Sequence, residues 1–157
     1  MIEATLCFLL DGSPPRQILL GRKKRGFGEG KLNGLGGKVR DGETPLRTIL
    51  REVEEESGLC ISPDRLRPMG TIDFFFPSRR EFDHHVHVFV ADAWEGELRE
   101  SEEMAPLWVP IDRIPHQEMW ADDAHWLPLV LAGQRIEAEF TFAEDNETIV
   151  GFAVREF

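Results

Sequence analysis

Three features of this sequence predict an α/β fold: short apolar runs bounded by turn clusters, one sharply framed helix, and a hairpin pattern closing the chain. Their order is strands, helix, strands, helix, strands, which suits a mixed sheet with helices packed on it. No internal repeat and no linker breaks that order, so residues 1–157 are expected to form a single domain. At this length a chain buries roughly two-thirds of its unfolded surface, enough for a sizeable core.

The elements follow in sequence. Ala4–Leu10 and Gln17–Leu20 read as strands separated by the turn cluster Asp11-Gly12-Ser13-Pro14-Pro15. A basic cluster, Arg22-Lys23-Lys24-Arg25, precedes a loop in which six of the twelve residues from Gly26 to Gly37 are glycine. Thr44-Pro45 opens a helix, with threonine at the N-cap and proline at the first helical position, and Gly58 closes it. Within it Leu46, Ile49, Leu50 and Val53 fall at i, i+3, i+4 and i+7, predicting one buried stripe. At about 100° per residue, Glu52, Glu55 and Glu56 share a face at the edge of that stripe. Thr71–Phe76, Val86–Ala91 and Leu107–Val109 read as further strands, and Asp122–Leu131 as a second helix containing Pro128. Ile136–Phe142 and Thr148–Val154 form the closing hairpin around Glu144-Asp145-Asn146.

Hydrophobic content of 41% and charged content of 30% belong to a soluble globular protein. The net charge of −11 argues against a polymeric nucleic-acid partner, which demands a basic stripe. A small phosphorylated ligand stays open, because a metal ion can reverse the local sign of a site. Two cysteines, Cys7 and Cys60, give no disulfide framework and point to a reducing compartment. The apolar run at the N-terminus is too short for a secretory leader, and none approaches the roughly 20 residues of a membrane span. The expectation is a cytoplasmic protein without membrane contact. No exposed apolar stripe stands out, so a monomer is expected.

Between Glu43 and Glu56 five glutamates occupy fourteen residues around one arginine, Arg51. Like charges at helical spacing repel, and a fold that gathers them needs a positive partner. A hard divalent cation held by carboxylates is such a partner, and it is the usual means of handling phosphates. The adjacent glycine-rich loop is not a Walker-type cradle, since Gly37-Lys38 is followed by Val39. It reads either as a flexible connection or as backbone that approaches a metal or phosphate closely.

Gly37, five residues, Glu43, seven residues, and then Arg51-Glu52-Val53-Glu54-Glu55-Glu56-Ser57-Gly58-Leu59 resembles the Nudix box with every fixed position filled. The resemblance implies a Nudix-type α/β/α sandwich around a mixed sheet, with the box forming a loop–helix–loop. Lys23-Lys24-Arg25-Gly26-Phe27-Gly28, Asn33-Gly34, Val86-His87-Val88-Phe89, Met119-Trp120, Asp122-Asp123 and Trp126 are similar to the MutT-homologue branch that hydrolyses oxidised purine nucleoside triphosphates.

That resemblance implies hydrolysis of 8-oxo-dGTP and related nucleotides to the monophosphate and pyrophosphate, with Mg2+ as cofactor and Mn2+ able to substitute. It implies Glu52, Glu55, Glu56 and Glu103 as metal ligands together with the Gly36 carbonyl. Glu52, Glu56 and Glu103 would be catalytic, with either Glu56 or Glu103 as general base. Glu43 and Arg51 would brace the box, leaving Glu54 solvated. Trp120 would stack on the purine while Asn33, Asp122 and Asp123 read its edge. Thr5, Phe27, Phe74 and Phe76 would line the pocket, and Lys23, Gly37 and Lys38 would lie beside the sugar and phosphates.

Other readings compete for some of these residues. Composition alone makes Trp120, Asp122 and Asp123 helix-start chemistry. The histidines His84, His85 and His87 suggest a metal, but the resemblance favours a structural role for His87. Relatives carry tryptophan in place of Leu32, a Met-Asp pair in place of His84-His85, and an aliphatic residue in place of Asp73. Alternative substrates of the same chemistry are ADP-ribose, a dinucleoside polyphosphate or another nucleoside triphosphate. A nucleotide sensor without turnover would be expected to lack box glutamates, and none is missing.

Overall fold

The computed structural model describes residues 1–157. Eight strands and two helices follow in the order β1 (Ile2–Asp11), β2 (Gln17–Lys23), β3 (Leu32–Asn33), α1 (Pro45–Ser57), β4 (Leu66–Phe75), β5 (His84–Ala91), β6 (Met104–Pro110), α2 (Asp123–Leu131), β7 (Ile136–Phe142) and β8 (Ile149–Glu156). The expected elements are present, most strands running one to four residues longer than read. The two-residue β3 emerges from the glycine-rich loop. The sheet order is β3-β2-β1-β5-β4-β7-β8, with β6 paired to the other edge of β2. β1–β5 and β4–β7 are parallel and the remaining pairs antiparallel, so the sheet is mixed.

Alternation along β1 sends side chains into two separate cores. Ala4, Leu6, Phe8 and Leu10 face one way and pack with Trp126, Leu127 and Val130 of α2. Cys7 and Leu9 face the other way, against Ile49 and Val53 of α1. One helix therefore covers each face, the α/β/α sandwich expected.

β1 pairs with β5 along most of its length but meets β2 only at Leu10 and Asp11. The free edge so created is taken by the glycine-rich loop. Thr5 donates to the Gly37 carbonyl, Cys7 and Leu35 exchange two backbone bonds, and Val39 donates to the Glu3 carbonyl. A Cβ on Gly36 would lie 2.0 Å from the Thr5 carbonyl oxygen, so only glycine permits this close approach. The loop is thus not a flexible connection but a docked strand-like segment that fixes the start of the box against the sheet.

Thr44 caps α1, its hydroxyl accepting from the Arg47 amide, and Gly58 ends it in the left-handed conformation at φ 79°. The expected apolar stripe is only partly buried. Ile49 and Val53 are fully enclosed, whereas Leu46 is 38% exposed. Thr48, Glu56 and Ser57 complete the buried face. Periodicity gives the angle of a residue around the axis, but Leu46 lies one turn ahead of Ile49, beyond the covered part of the helix.

Candidate active site

A cavity of about 660 Å3 opens between the docked loop, β1, β5 and the N-terminus of α2. Thr5, Lys23, Phe27, Asn33, Gly36, Gly37, Lys38, Glu52, Glu56, Phe74, Phe76, Glu103, Trp120, Asp122 and Asp123 all line it, so residues far apart in sequence meet there. Glu55 is the exception among the expected ligands. It does not line the cavity, and its side chain is 51% exposed and paired to Arg51 at 3.3 Å.

At one end stands the acidic helix face. Arg51 grips Glu43 with two parallel bonds, Nε to Oε2 at 2.8 Å and Nη2 to Oε1 at 2.9 Å. Its remaining nitrogen, Nη1, donates to Glu52 at 2.8 Å. The Arg51 hydrogen bonds hold the Glu43 carboxyl down at about 2, with help from the Arg40 amide and the Thr48 hydroxyl. Arg51 is itself pushed up, foremost by Glu43. The pair forms the expected brace. Glu54 plays no part in it and is exposed.

Glu56 is only 5% exposed, and its Oε1 accepts the Gly36 amide at 2.9 Å. Burial raises its carboxyl to about 8, and the charges of Glu52 and Glu103 add to that rise. Glu52 is likewise raised, first by burial. Burial lowers Lys23, whose Nζ donates to the Phe27 carbonyl at 2.7 Å. Thr5 is not a free pocket hydroxyl. It donates to the Gly37 carbonyl at 3.0 Å and accepts the Gly37 amide at 3.3 Å, pinning the loop.

The donor chemistry here suits a hard divalent cation. The converging groups are carboxylates, and the Gly36 carbonyl accepts no hydrogen bond from the protein. The mutual repulsion of Glu52, Glu56 and Glu103 is what a cation would relieve. No three acidic, histidine or thiol groups form a ready-made chelate. Glu52 and Glu55 instead lean on Arg51, so ligation would draw Glu52 away from that partner.

The other end is aromatic. Phe27 lies between Phe82 and Trp120, at ring separations of 4.2 and 5.2 Å. Phe76 stacks on Phe142 at 4.9 Å, and Phe74 stacks on Phe140 and Phe142. Beneath these rings sit two almost fully buried acids, Asp122 and Asp123. Asp122 caps nothing: its Oδ2 accepts the Trp126 indole hydrogen at 2.8 Å. Both acids nonetheless open α2, Asp122 at its cap position and Asp123 in its first turn. Asp123 Oδ2 has no partner at all. Burial raises both carboxyls, and the neighbouring Asp122 charge raises Asp123 further.

Several lining residues were not anticipated. Lys31 holds its ammonium 4.9 Å from the Trp120 ring while pairing with Glu147 at 3.0 Å. Phe142 and Arg40 also line the cavity. The i, i+4 spacing of Asp122 and Trp126 is the sequence signal for their hydrogen bond. The departures at Asp73 and His85 compensate each other, being directly opposed across β4 and β5 and hydrogen-bonded at 2.5 Å. His87 is half-buried and pairs with Glu3 instead of entering the core.

The NUDIX domain pattern matches residues 2–130. The chain is 51% identical over 150 residues to the oxidized purine nucleoside triphosphate hydrolase of Danio rerio, covering 96% of this chain and 94% of that one. It is 45% identical over 142 residues to the Mus musculus protein of the same description, covering 90% and 88%. Among solved structures, the mutator MutT protein of Bacillus halodurans superposes with a TM-score of 0.83 at 25% identity, over 98% of this chain and 97% of that one.

Proposed function

The chain belongs to the NUDIX family of hydrolases, and we propose that it hydrolyses oxidised purine nucleoside triphosphates, 8-oxo-dGTP among them, to the monophosphate and pyrophosphate. The observation that carries this reading is one cavity with two unlike ends, braced glutamates at one and a buried acid pair under aromatic rings at the other. A purine between them would set its phosphates against the glutamates.

At the base end Trp120 offers a stacking face, stiffened by Lys31 on the ring. Asp123 keeps a buried oxygen free, and burial together with the Asp122 charge raises its carboxyl and favours the protonated form, which would let the pair present both a donor and an acceptor. Asn33 is positioned to add an amide contact, its Oδ1 accepting the Gly34 amide at 2.9 Å.

At the phosphate end Glu52, Glu56, Glu103 and the Gly36 carbonyl are the groups we assign to hold magnesium, with manganese able to substitute. The cation supplies charge neutralisation for the polyanion and acidifies the attacking water. Glu56 is held at about 8 without a cation and would be ionised beside one, so it is suited to accept a proton from water near neutral pH. Glu103 shares the cavity and is the second candidate for that role. Arg51 and Glu43 keep the helix face in register for this work. Glu55 is assigned a supporting part through Arg51.

The proposed setting is the cytoplasm. Both cysteines are free thiols, and no helix is long and apolar enough to cross a membrane. The deciding experiment is a substrate panel in magnesium buffer in which the cleavage products of every substrate are separated and quantified, pyrophosphate being expected from the triphosphates alone. Oxidised purine triphosphates should exceed dGTP, ADP-ribose and dinucleoside polyphosphates in kcat/KM. Preference for ADP-ribose, or no turnover above background, would refute the reading.

A further inference from the structure

The face of β5 turned away from the cavity carries ionisable side chains that hydrolysis does not use. His84 and Val86 line the cavity, so His85 and His87 alternate to the opposite side. Their rings meet edge to face, with centroids 4.9 Å apart and an interplanar angle of 89°. Each ring is held by a carboxylate from a neighbouring strand. Asp73 of β4 lies 2.5 Å from His85 Nδ1, and Glu3 of β1 lies 2.8 Å from His87 Nε2. Both histidine side chains reach solvent, 37% and 25% exposed.

A carboxylate accepts, so in the neutral rings the hydrogen sits on Nδ1 of His85 and on Nε2 of His87. That leaves lone pairs on His85 Nε2 and His87 Nδ1. Histidines that ligate a metal almost always donate their other N–H to a carboxylate, a backbone carbonyl or a water, which fixes the ring and raises its basicity. A tetrahedral cation with metal–nitrogen bonds of about 2.0–2.1 Å places two ligating ring centroids about 5 Å apart. The 4.9 Å separation in this chain permits both rings to reach one cation.

We propose that His85 and His87 bind a borderline transition-metal cation of the zinc class, with Asp73 and Glu3 as outer carboxylates and water completing the coordination. No third histidine, acid or thiol converges with them, so this is a two-nitrogen, exchangeable site and not a structural one. Imidazole favours zinc, copper and nickel over magnesium, which separates it from the all-oxygen glutamate end. A bound cation would join the registers of β1, β5 and β4 on one face of the sheet.

The test is calorimetric titration of the whole chain with zinc chloride in excess magnesium, which keeps the glutamate end filled. Wild type should take up one equivalent that His85→Gln and His87→Gln both lose, and Asp73→Asn should bind about tenfold more weakly or worse. Ring resonances provide a measurement that needs no variant: zinc should shift those of His85 and His87 and leave His116 and His125 in place. Equal zinc uptake by wild type and His87→Gln, unaltered affinity in Asp73→Asn, or unmoved His85 and His87 resonances would overturn the proposal. Because zinc uptake is the readout, the result stands apart from whether any nucleotide is hydrolysed.

Discussion

Glu56→Gln should yield a protein that is inactive yet more stable than wild type above neutral pH in the absence of divalent cations. Burial and the neighbouring charges lift the Glu56 carboxyl from 4.5 to about 8. At about 1.4 kcal/mol per pKa unit, this displacement is worth roughly 5 kcal/mol. The folded chain holds this proton more tightly than the unfolded chain does. The contribution to stability is therefore complete below about pH 4.5 and is lost as pH rises to about 8. Between pH 6 and pH 8 the loss from this group alone is about 2 kcal/mol, or roughly 4–8 °C in Tm for a chain of this size. Glutamine keeps the carbonyl that accepts the Gly36 amide and removes the titration. Urea unfolding in chelator, followed through the four tryptophans, should give a steep pH slope for wild type and a flatter one for the variant. Magnesium at pH 8 should then stabilise wild type and leave the variant unmoved. Parallel pH profiles, or a variant less stable than wild type at pH 8, would refute the argument.

Further outcomes follow from the same geometry. Trp120→Ala removes base stacking worth about 1–3 kcal/mol, so KM for 8-oxo-dGTP should rise roughly 5- to 150-fold in steady-state assays while kcat changes little. Asp123→Asn removes a buried acid that binds its proton tightly, so the variant should be at least as stable at pH 8 by thermal unfolding. Its discrimination between 8-oxo-dGTP and dGTP should fall about tenfold or more in competition assays. Gly37→Ala brings a methyl within 2.5 Å of the Glu52 carboxyl, a movable group, so the fold should survive while kcat falls. Gly36→Ala meets backbone at 2.0 Å instead and should lower Tm as well, which calorimetry would separate. Arg51→Lys loses the two-pronged grip on Glu43 and should reduce kcat more than KM.

Much of the architecture was legible because it is written locally. Thr44, Pro45 and Gly58 frame α1 through their own backbone preferences, and the strand limits follow from apolar runs between turn residues. The resemblance to the box likewise implied the Glu43–Arg51 brace. What sequence could not carry is lateral placement. Glu52 and Glu55 are three residues apart on one helical face and both touch Arg51, yet Glu52 lies against the docked loop at Gly37 and enters the cavity, while the Glu55 side chain is half exposed. Lys31 reaches Trp120 across 89 residues of chain, and only the docked loop brings them together. Thr5 was expected to face a ligand, but its hydroxyl is engaged by the loop, a contact visible only once β1 has a free edge.

The two ends of the cavity rest on different foundations. Glu52 and Glu56 stand on α1, whose apolar side belongs to the core on one face of the sheet, while Asp122 and Asp123 begin α2, packed into the core on the other face. Substitutions at the two ends therefore disturb different sets of packed neighbours, and their energetic effects should sum with little cross-talk. Such a layout lets base preference drift through α2 and its surrounding rings while the hydrolytic machinery stays untouched. It gives one scaffold two independently adjustable halves.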